Sequence, residues 1–250
     1  MGPEAPARAG RELRSRYTAA DLCVFTPEEG SRFVPRGDGD PRTDVTLAWE
    51  LLYRLEPELY DRLASAEHLH PGVVAWLPHY VDRIVEVGAG TGRLTLELIG
   101  RAGRVVAVEP ARPLRRILRR KLAAADGGDR VRVTRGFFDQ LPVPGDFAGM
   151  VVACSAFTPD AEHGGEGGLA EMERVCRPGG CVAIVWPNHL EWLAARGYQY
   201  VRFPGAMSVE FGSYRRRWSW PGSSFPAWPM RCGGSEAAGS LRGAGHQSAA

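Results

Sequence analysis

Between Asp82 and Trp186 five short β-rich runs alternate with segments of helical character. The runs are RIVEVG, RVVAVE, RVRVTRG, GMVVACS and CVAIVW. Residues 92–101, 111–125 and 167–177 are the helical stretches. In the second of these, Leu114, Ile117, Leu118 and Leu122 fall on one face. The third is closed by Pro178-Gly179-Gly180. Alternation with helix-length crossovers predicts parallel strands with helices on both faces of the sheet, an α/β doubly wound architecture.

The flanks read differently. Residues 1–43 are rich in Pro, Gly and Arg with one apolar patch, Leu22–Phe25, and are expected to form a flexible arm with one short helix. Residues 44–81 are expected to form a helical cap, because Leu47, Leu51, Leu52 and Leu55 keep helical spacing until Pro57 divides the segment. The sheet domain is expected over 82–216. It would end in a helix at 188–196 and an antiparallel pair, YQYVRF with MSVEF, joined across Pro204-Gly205.

Composition narrows the function classes. The 250 residues are 44% apolar and 24% charged, which suits a globular chain. A net charge of +2 gives no electrostatic case for a nucleic-acid or membrane partner. Five cysteines, Cys23, Cys154, Cys176, Cys181 and Cys232, with no C-x-x-C pair, read as reduced thiols rather than a disulfide frame or a zinc site. The N-terminal residues have no apolar core of a signal peptide, and no apolar run approaches membrane-spanning length. The expectation is a cytoplasmic protein without a metal.

The strongest motif is VEVGAGTGRLT, residues 85–95, which leaves the first strand and opens a helix. Gly88, Gly90 and Gly92, around Ala89, let the backbone turn tightly and approach a ligand. Their spacing is G-x-G-x-G, not the G-x-G-x-x-G of a dinucleotide loop. Glu86, two residues upstream, suits a ligand carrying an ammonium group and would repel a pyrophosphate. Glu109 ends the second strand, where a carboxylate can accept from both hydroxyls of a ribose.

These segments, with VVAVEP and LAEMERVCRPGGCVAIVWP, resemble class I S-adenosylmethionine-dependent methyltransferases over about residues 58–214. The resemblance implies a Rossmann-like, mainly parallel seven-stranded sheet. It implies S-adenosylmethionine at the carboxyl ends of the first strands, and a loop after the fourth strand that faces the methyl group. Many members follow the third strand with Gly-Asp, whose acid bonds the adenine amine. Here the run is Gly136-Phe137-Phe138-Asp139. The acid is missing from its usual place: Asp139 on a shifted loop is the candidate substitute and Phe137 or Phe138 the candidate stacking surface. Without a substitute the lost bond costs about 1 kcal/mol. Cys154 and Ser155, ending the fourth strand, are expected to shape the cofactor pocket. Tyr60 lies where the N-terminal segment of such enzymes covers the cofactor, and a core aromatic is the other reading.

A methyltransferase needs a general base only where the acceptor must lose a proton. His163, after the fourth strand, and His189, after the fifth, are the candidates. A solvated loop histidine is the alternative for each. His68 and His70, flanking Leu69, form the one His pair with metal-ligand spacing. The basic run Arg112, Arg115, Arg116, Arg119, Arg120, Lys121 lies opposite the apolar face of its helix and reads as solvated surface. EVGAGTGRLTLEL also resembles the adenine-N6 dimethyltransferases of ribosomal RNA, which clamp a flipped base with Asn-x-Pro-aromatic after the fourth strand. Ala153-Cys154-Ser155-Ala156-Phe157 lacks the amide and the proline. A small-molecule acceptor is therefore expected, with RNA adenine methylation or a non-catalytic cofactor-binding module as the alternatives. Oligomeric state has no signal in the sequence.

Residues 217–250 hold three tryptophans among Gly, Ser and Pro with no period, and are expected to be a disordered tail. GC-rich codons assigned to residues 216–235 and read two bases later yield AVELARLLLPGLAHAVRRL, which has helical spacing. That string raises a frameshift as the origin of the tail.

Overall fold

A computed structural model describes residues 17–34, 44–187, 189–204, 208–211, 214–219 and 228–232. The expected tail falls mostly outside these residues.

The chain enters through a 3-10 turn, Ala19–Val24, and helix α1, Pro27–Phe33. Thr26 caps α1: its hydroxyl accepts from the Glu29 amide, the Glu29 carboxylate accepts from the Thr26 amide, and Pro27 fills the first position. Helices α2, Val45–Leu55, and α3, Pro57–Ala66, meet at Pro57, and α4 spans Pro71–Trp76. Asp44 caps α2 by accepting from the amides of Thr46 and Leu47. Leu47, Leu51 and Leu52 then point inward onto Tyr17 and Leu59.

The sheet strands are β1 (Val81–Val87), β2 (Ala102–Val108), β3 (Val131–Thr134), β4 (Ala148–Cys154) and β5 (Cys176–Val185). They are parallel, in the order β3-β2-β1-β4-β5. The order reverses at β1, the switch point where ligands bind in open α/β sheets. The crossovers are α5 (Thr95–Leu98), α6 (Arg112–Ala123) and α7 (Gly165–Val175).

Strand alternation divides the core. Val85, Val87, Val106, Val151 and Ile184 face α7, through Leu169, Met172 and Val175. Ile84, Val105, Met150 and Val152 face α4 and α5, through Val73, Leu77, Leu94 and Leu98. Ala107 packs on Leu118 and Leu122 of α6.

Five strands of the sheet are parallel, and past β5 it continues with two antiparallel strands, so the sheet is mainly parallel. One expectation needs correction. Following helix α8 (Leu190–Ala194), the runs around Pro204-Gly205 do not pair with each other. The first holds β6 (Gln199–Val201), which pairs with β9 (Trp228–Cys232); the second holds β7 (Ser208–Phe211), which pairs with β8 (Tyr214–Ser219). A local turn signal suggested a hairpin, whereas both partners come from later in the chain. Strand β5 also begins before Pro178-Gly179-Gly180, because Cys176 pairs with Ala148 across a register shift.

Candidate active site

The carboxyl ends of β1, β2 and β4 open into a cavity of about 410 Å³. Its floor is the glycine loop. Gly88 and Ala89 both donate their amides to the Val108 carbonyl, at 2.9 and 3.0 Å, so the loop is stitched to the end of β2. Gly88, Gly90 and Gly92 have φ of +73°, +55° and +99°, the left-handed region that glycine occupies without strain. A Cβ on Gly90 would stand 3.1 Å from the Tyr60 hydroxyl, so the loop and α3 close on each other at this point.

Glu109 faces the cavity while 5% exposed. One carboxylate oxygen accepts from the Gly90 amide at 2.9 Å and the other from the Ala111 amide at 2.7 Å. Burial pushes its pKa up to about 7, against those two backbone bonds. Each oxygen keeps a lone pair for a ligand hydroxyl.

Of the residues expected to bind cofactor, Gly88, Gly90, Glu109, Phe137, Phe138, Asp139, Cys154 and Ser155 line this one cavity. Ala89, Gly92 and Glu86 are not among its lining residues. Glu86 lies beneath the loop, where its carboxylate accepts from the Thr95 hydroxyl at 2.6 Å. That bond fixes the start of α5. Asp139 is likewise committed within the protein: Arg32 of α1 donates one guanidinium nitrogen to both its oxygens, at 2.6 and 2.7 Å. Arg32 also lies over the Phe137 ring at 4.2 Å, and Arg135 at 5.1 Å.

Ser155 holds φ +54°, and its hydroxyl accepts from Arg93 at 2.9 Å. Arg93 reaches on to Glu67 at 2.6 Å and over the Trp186 ring at 4.7 Å, tying the glycine loop to α3's end and β5's exit. Burial pushes the Cys154 thiol up to about 11, so it is not a thiolate at neutral pH.

The sequence reading missed the roof. Ser31, Arg32 and Phe33 of α1 and Glu50 and Tyr53 of α2 all line the cavity. The capping box Thr26-Pro27-Glu28-Glu29 signals the helix, but nothing local says where it docks. The two histidines separate here. His163 lines the cavity, 3.3 Å from Glu50 through Nε2. His189 is exposed ahead of α8 and is not a lining residue. His70 accepts from the Gly72 amide at 3.0 Å and stacks on Phe203, so it serves as a helix cap. Among the described residues, no group of three His, Cys, Asp or Glu side chains is placed to hold a metal. No helix there is long and apolar enough to cross a membrane.

The basic run on α6 is largely engaged. Arg115 donates to the carbonyls of Glu109 and Pro110, Arg119 to that of Val133, and Lys121 pairs with Asp61.

Glu86 makes a testable contribution to stability. Burial outweighs the Thr95 bond and pushes its carboxyl up to about 8. A folded pKa above the unfolded one gives stability that is complete below the unfolded pKa and is lost as pH rises through the folded one. Between pH 5.5 and 9 this group should cost the ligand-free protein roughly 3 kcal/mol. Urea unfolding of Glu86→Gln should show a correspondingly flatter pH dependence. An unchanged slope would remove Glu86 as its source.

A family model for a methyltransferase domain matches residues 84–180, the stretch from β1 through the Pro-Gly-Gly element. An uncharacterized methyltransferase of Mycobacterium tuberculosis is 30% identical over 132 residues, 51% of this chain and 50% of the relative. Ribosomal RNA small subunit methyltransferase A of Moorella thermoacetica is 36% identical over 94 residues, 38% of this chain and 28% of the relative. The solved structure of a putative S-adenosyl-L-methionine-dependent methyltransferase from Methanococcus maripaludis superposes with a TM-score of 0.47 at 14% identity, covering 76% of this chain and 91% of that one. This chain spans about half the length of the Mycobacterium relative. Residues 84–180, with their glycine cradle at the switch point of the sheet, thus match a methyltransferase domain.

Proposed function

We propose that this protein binds S-adenosylmethionine at the switch-point cavity and transfers its methyl group to a small-molecule acceptor. The observation that carries the reading is the convergence of Gly88, Gly90 and Glu109 on one cavity of about 410 Å³ roofed by α1 and α2.

The residues present fit the cofactor. Bare glycine backbone at 88 and 90 lies where a methionine moiety must approach closely, and added Cβ atoms would meet Ala156 and Tyr60. Glu109 offers acceptor lone pairs to ribose hydroxyls. Phe137 and Phe138 give the cavity aromatic walls next to it, surfaces on which adenine can stack. The bound donor supplies an electrophilic methyl group; the protein's part is to orient the partners and exclude water. The roof serves exclusion, and the stitched loop serves orientation.

Two observations favour a small acceptor over RNA. Three of the six α6 cations, Arg115, Arg119 and Lys121, hold partners within the protein. The strand-end sequence Ala153-Cys154-Ser155-Ala156-Phe157 has no amide to clamp a flipped base. Calorimetry should show binding of S-adenosylhomocysteine and none of NAD. Labelled S-adenosylmethionine should then methylate members of a metabolite library and not structured RNA. Preference for NAD would end the cofactor assignment, and incorporation into RNA adenine would end the acceptor assignment.

A further inference from the structure

His163 stands at the cavity wall on a 3-10 turn, Ala161–His163, in the loop after β4. Its backbone is pinned on both sides: its amide donates to the Asp160 carbonyl at 3.0 Å, and its carbonyl accepts from the Thr158 amide at 2.9 Å. Its ring lies 6.2 Å from that of Phe33. Nε2 is turned to Glu50 Oε1 at 3.3 Å. Glu50 is itself held, because its other oxygen accepts from Arg54 at 2.5 Å. Arg54 continues to Glu29 at 3.1 Å. A buried chain Glu29–Arg54–Glu50 thus runs from the roof to His163, which is partly exposed at the cavity wall.

The chemistry of that chain sets the imidazole's tautomer. A carboxylate only accepts, so in the neutral ring the nitrogen turned to Glu50, Nε2, is the one that carries the proton. Nδ1 is left as the unprotonated nitrogen, able to take a proton. We propose that His163 is the general base of this enzyme, that Glu50 is its positioning residue, and that the acceptor is a phenol or alcohol hydroxyl.

The proposal rests on the methyltransferase reading above. In the transfer, the acceptor oxygen forms its bond to the methyl carbon as the carbon–sulfur bond breaks with its electron pair kept by sulfur. The hydroxyl proton passes to Nδ1 of His163, and the imidazolium faces the Glu50 carboxylate until solvent removes the proton. A tertiary amine or a thioether has no proton to lose and would make no use of such a pair.

Glu50→Gln gives a discriminating test. Arg54 can only donate, so the new amide must turn its oxygen to Arg54 and its NH₂ to His163. Nε2 must then accept, and the ring proton moves to Nδ1, the nitrogen the base needs free. Long-range ¹H–¹⁵N spectra of the complex with S-adenosylhomocysteine should show neutral His163 as the Nε2–H tautomer in the wild type and Nδ1–H in Glu50→Gln. Turnover of the two proteins is compared at donor concentrations that saturate each, as fixed by its own S-adenosylhomocysteine affinity. Turnover of phenols and alcohols should fall on the order of 10²-fold to 10⁴-fold, the contribution typical of a general base. His163→Gln, which leaves the Glu50–Arg54 pair intact, should lose turnover to the same degree.

A wild-type ring in the Nδ1–H tautomer overturns the dyad, and methylation of thioethers, amines or carbon acids with no phenol or alcohol turned over overturns the acceptor. Full turnover by His163→Gln overturns it too. Failure of the wild type to bind S-adenosylhomocysteine is a different result, and it would remove the methyltransferase reading itself.

Discussion

Gly90→Val is expected to weaken S-adenosylhomocysteine binding by roughly a hundredfold or more while leaving the protein folded. Three effects combine at this residue. Its φ of +55° is left-handed, which a β-branched residue adopts only under strain. Its Cβ would stand 3.1 Å from the Tyr60 hydroxyl and 3.5 Å from Cε1 of the same ring, closer than an ordinary contact for the first. Its amide is the donor to Glu109 Oε2, so any shift that relieves the first two effects moves the carboxylate that faces the cavity. The strain falls on a loop at the cavity, away from the cores beneath the sheet. Calorimetry and thermal melts on one preparation separate the two outcomes. Unchanged affinity would mean the loop does not contact the cofactor. Lost affinity together with a collapsed melt would mean that Gly90 is needed for folding first.

The floor of this site was legible in the sequence because it is local. Three glycines in a strand-to-helix turn need φ values that few other residues adopt, so the run VEVGAGTG announces both its conformation and its place at the end of β1. Glu109 was legible for a related reason, since a strand's last residue in a parallel sheet emerges at the same edge as its neighbour's. Glu86 shows the limit. Its alternation on β1 places it inside, but whether it faces ligand or helix depends on Thr95, nine residues later and one turn into another element.

The roof was not legible, for a physical reason. Pro27–Phe33 is a helix by its capping box alone, yet its docking depends on pairs from distant parts of the chain: Arg32 with Asp139, Glu28 with Arg135, and Phe33 beside Phe137. None of these has a spacing that a sequence pattern can display. The same holds for the histidines. His163 and His189 both follow strands at the cavity edge of the sheet, and only Glu50 on α2 makes one of them different. The mispaired β6 and β7 failed in the same way, since Pro204-Gly205 is a sound turn signal and the true strand partners are set by tertiary pairing.

Arg54→Met is expected to destabilise the protein by about 3–5 kcal/mol near neutral pH, more than any exposed ion pair of the roof. Arg54 is 4% exposed and serves two carboxylates that are almost as deeply placed, Glu29 and Glu50. It also lies over the rings of Phe25 and Phe33, at 4.5 and 5.2 Å. Removing it leaves two acids among aromatic side chains with no cation between them. Burial works to raise the Glu29 carboxyl, and the Thr26 amide and the Arg54 charge hold it below the usual value instead. A depressed folded pKa contributes stability above the unfolded value and loses it as pH falls through the folded one. The penalty of Arg54→Met should therefore shrink as the solution is acidified and Glu29 takes up a proton. The network is not optimised for stability in itself, since Arg54 Nε is buried with no hydrogen-bond partner. Replacing all three charges together, Glu29→Leu with Glu50→Leu and Arg54→Met, should then cost much less than the single change, because no charge is left uncompensated. Denaturant unfolding at two pH values tests both statements. A single variant within 1 kcal/mol of wild type, or a triple variant worse than the single, would show that Arg54 holds the roof through packing of its stem and not through its charge.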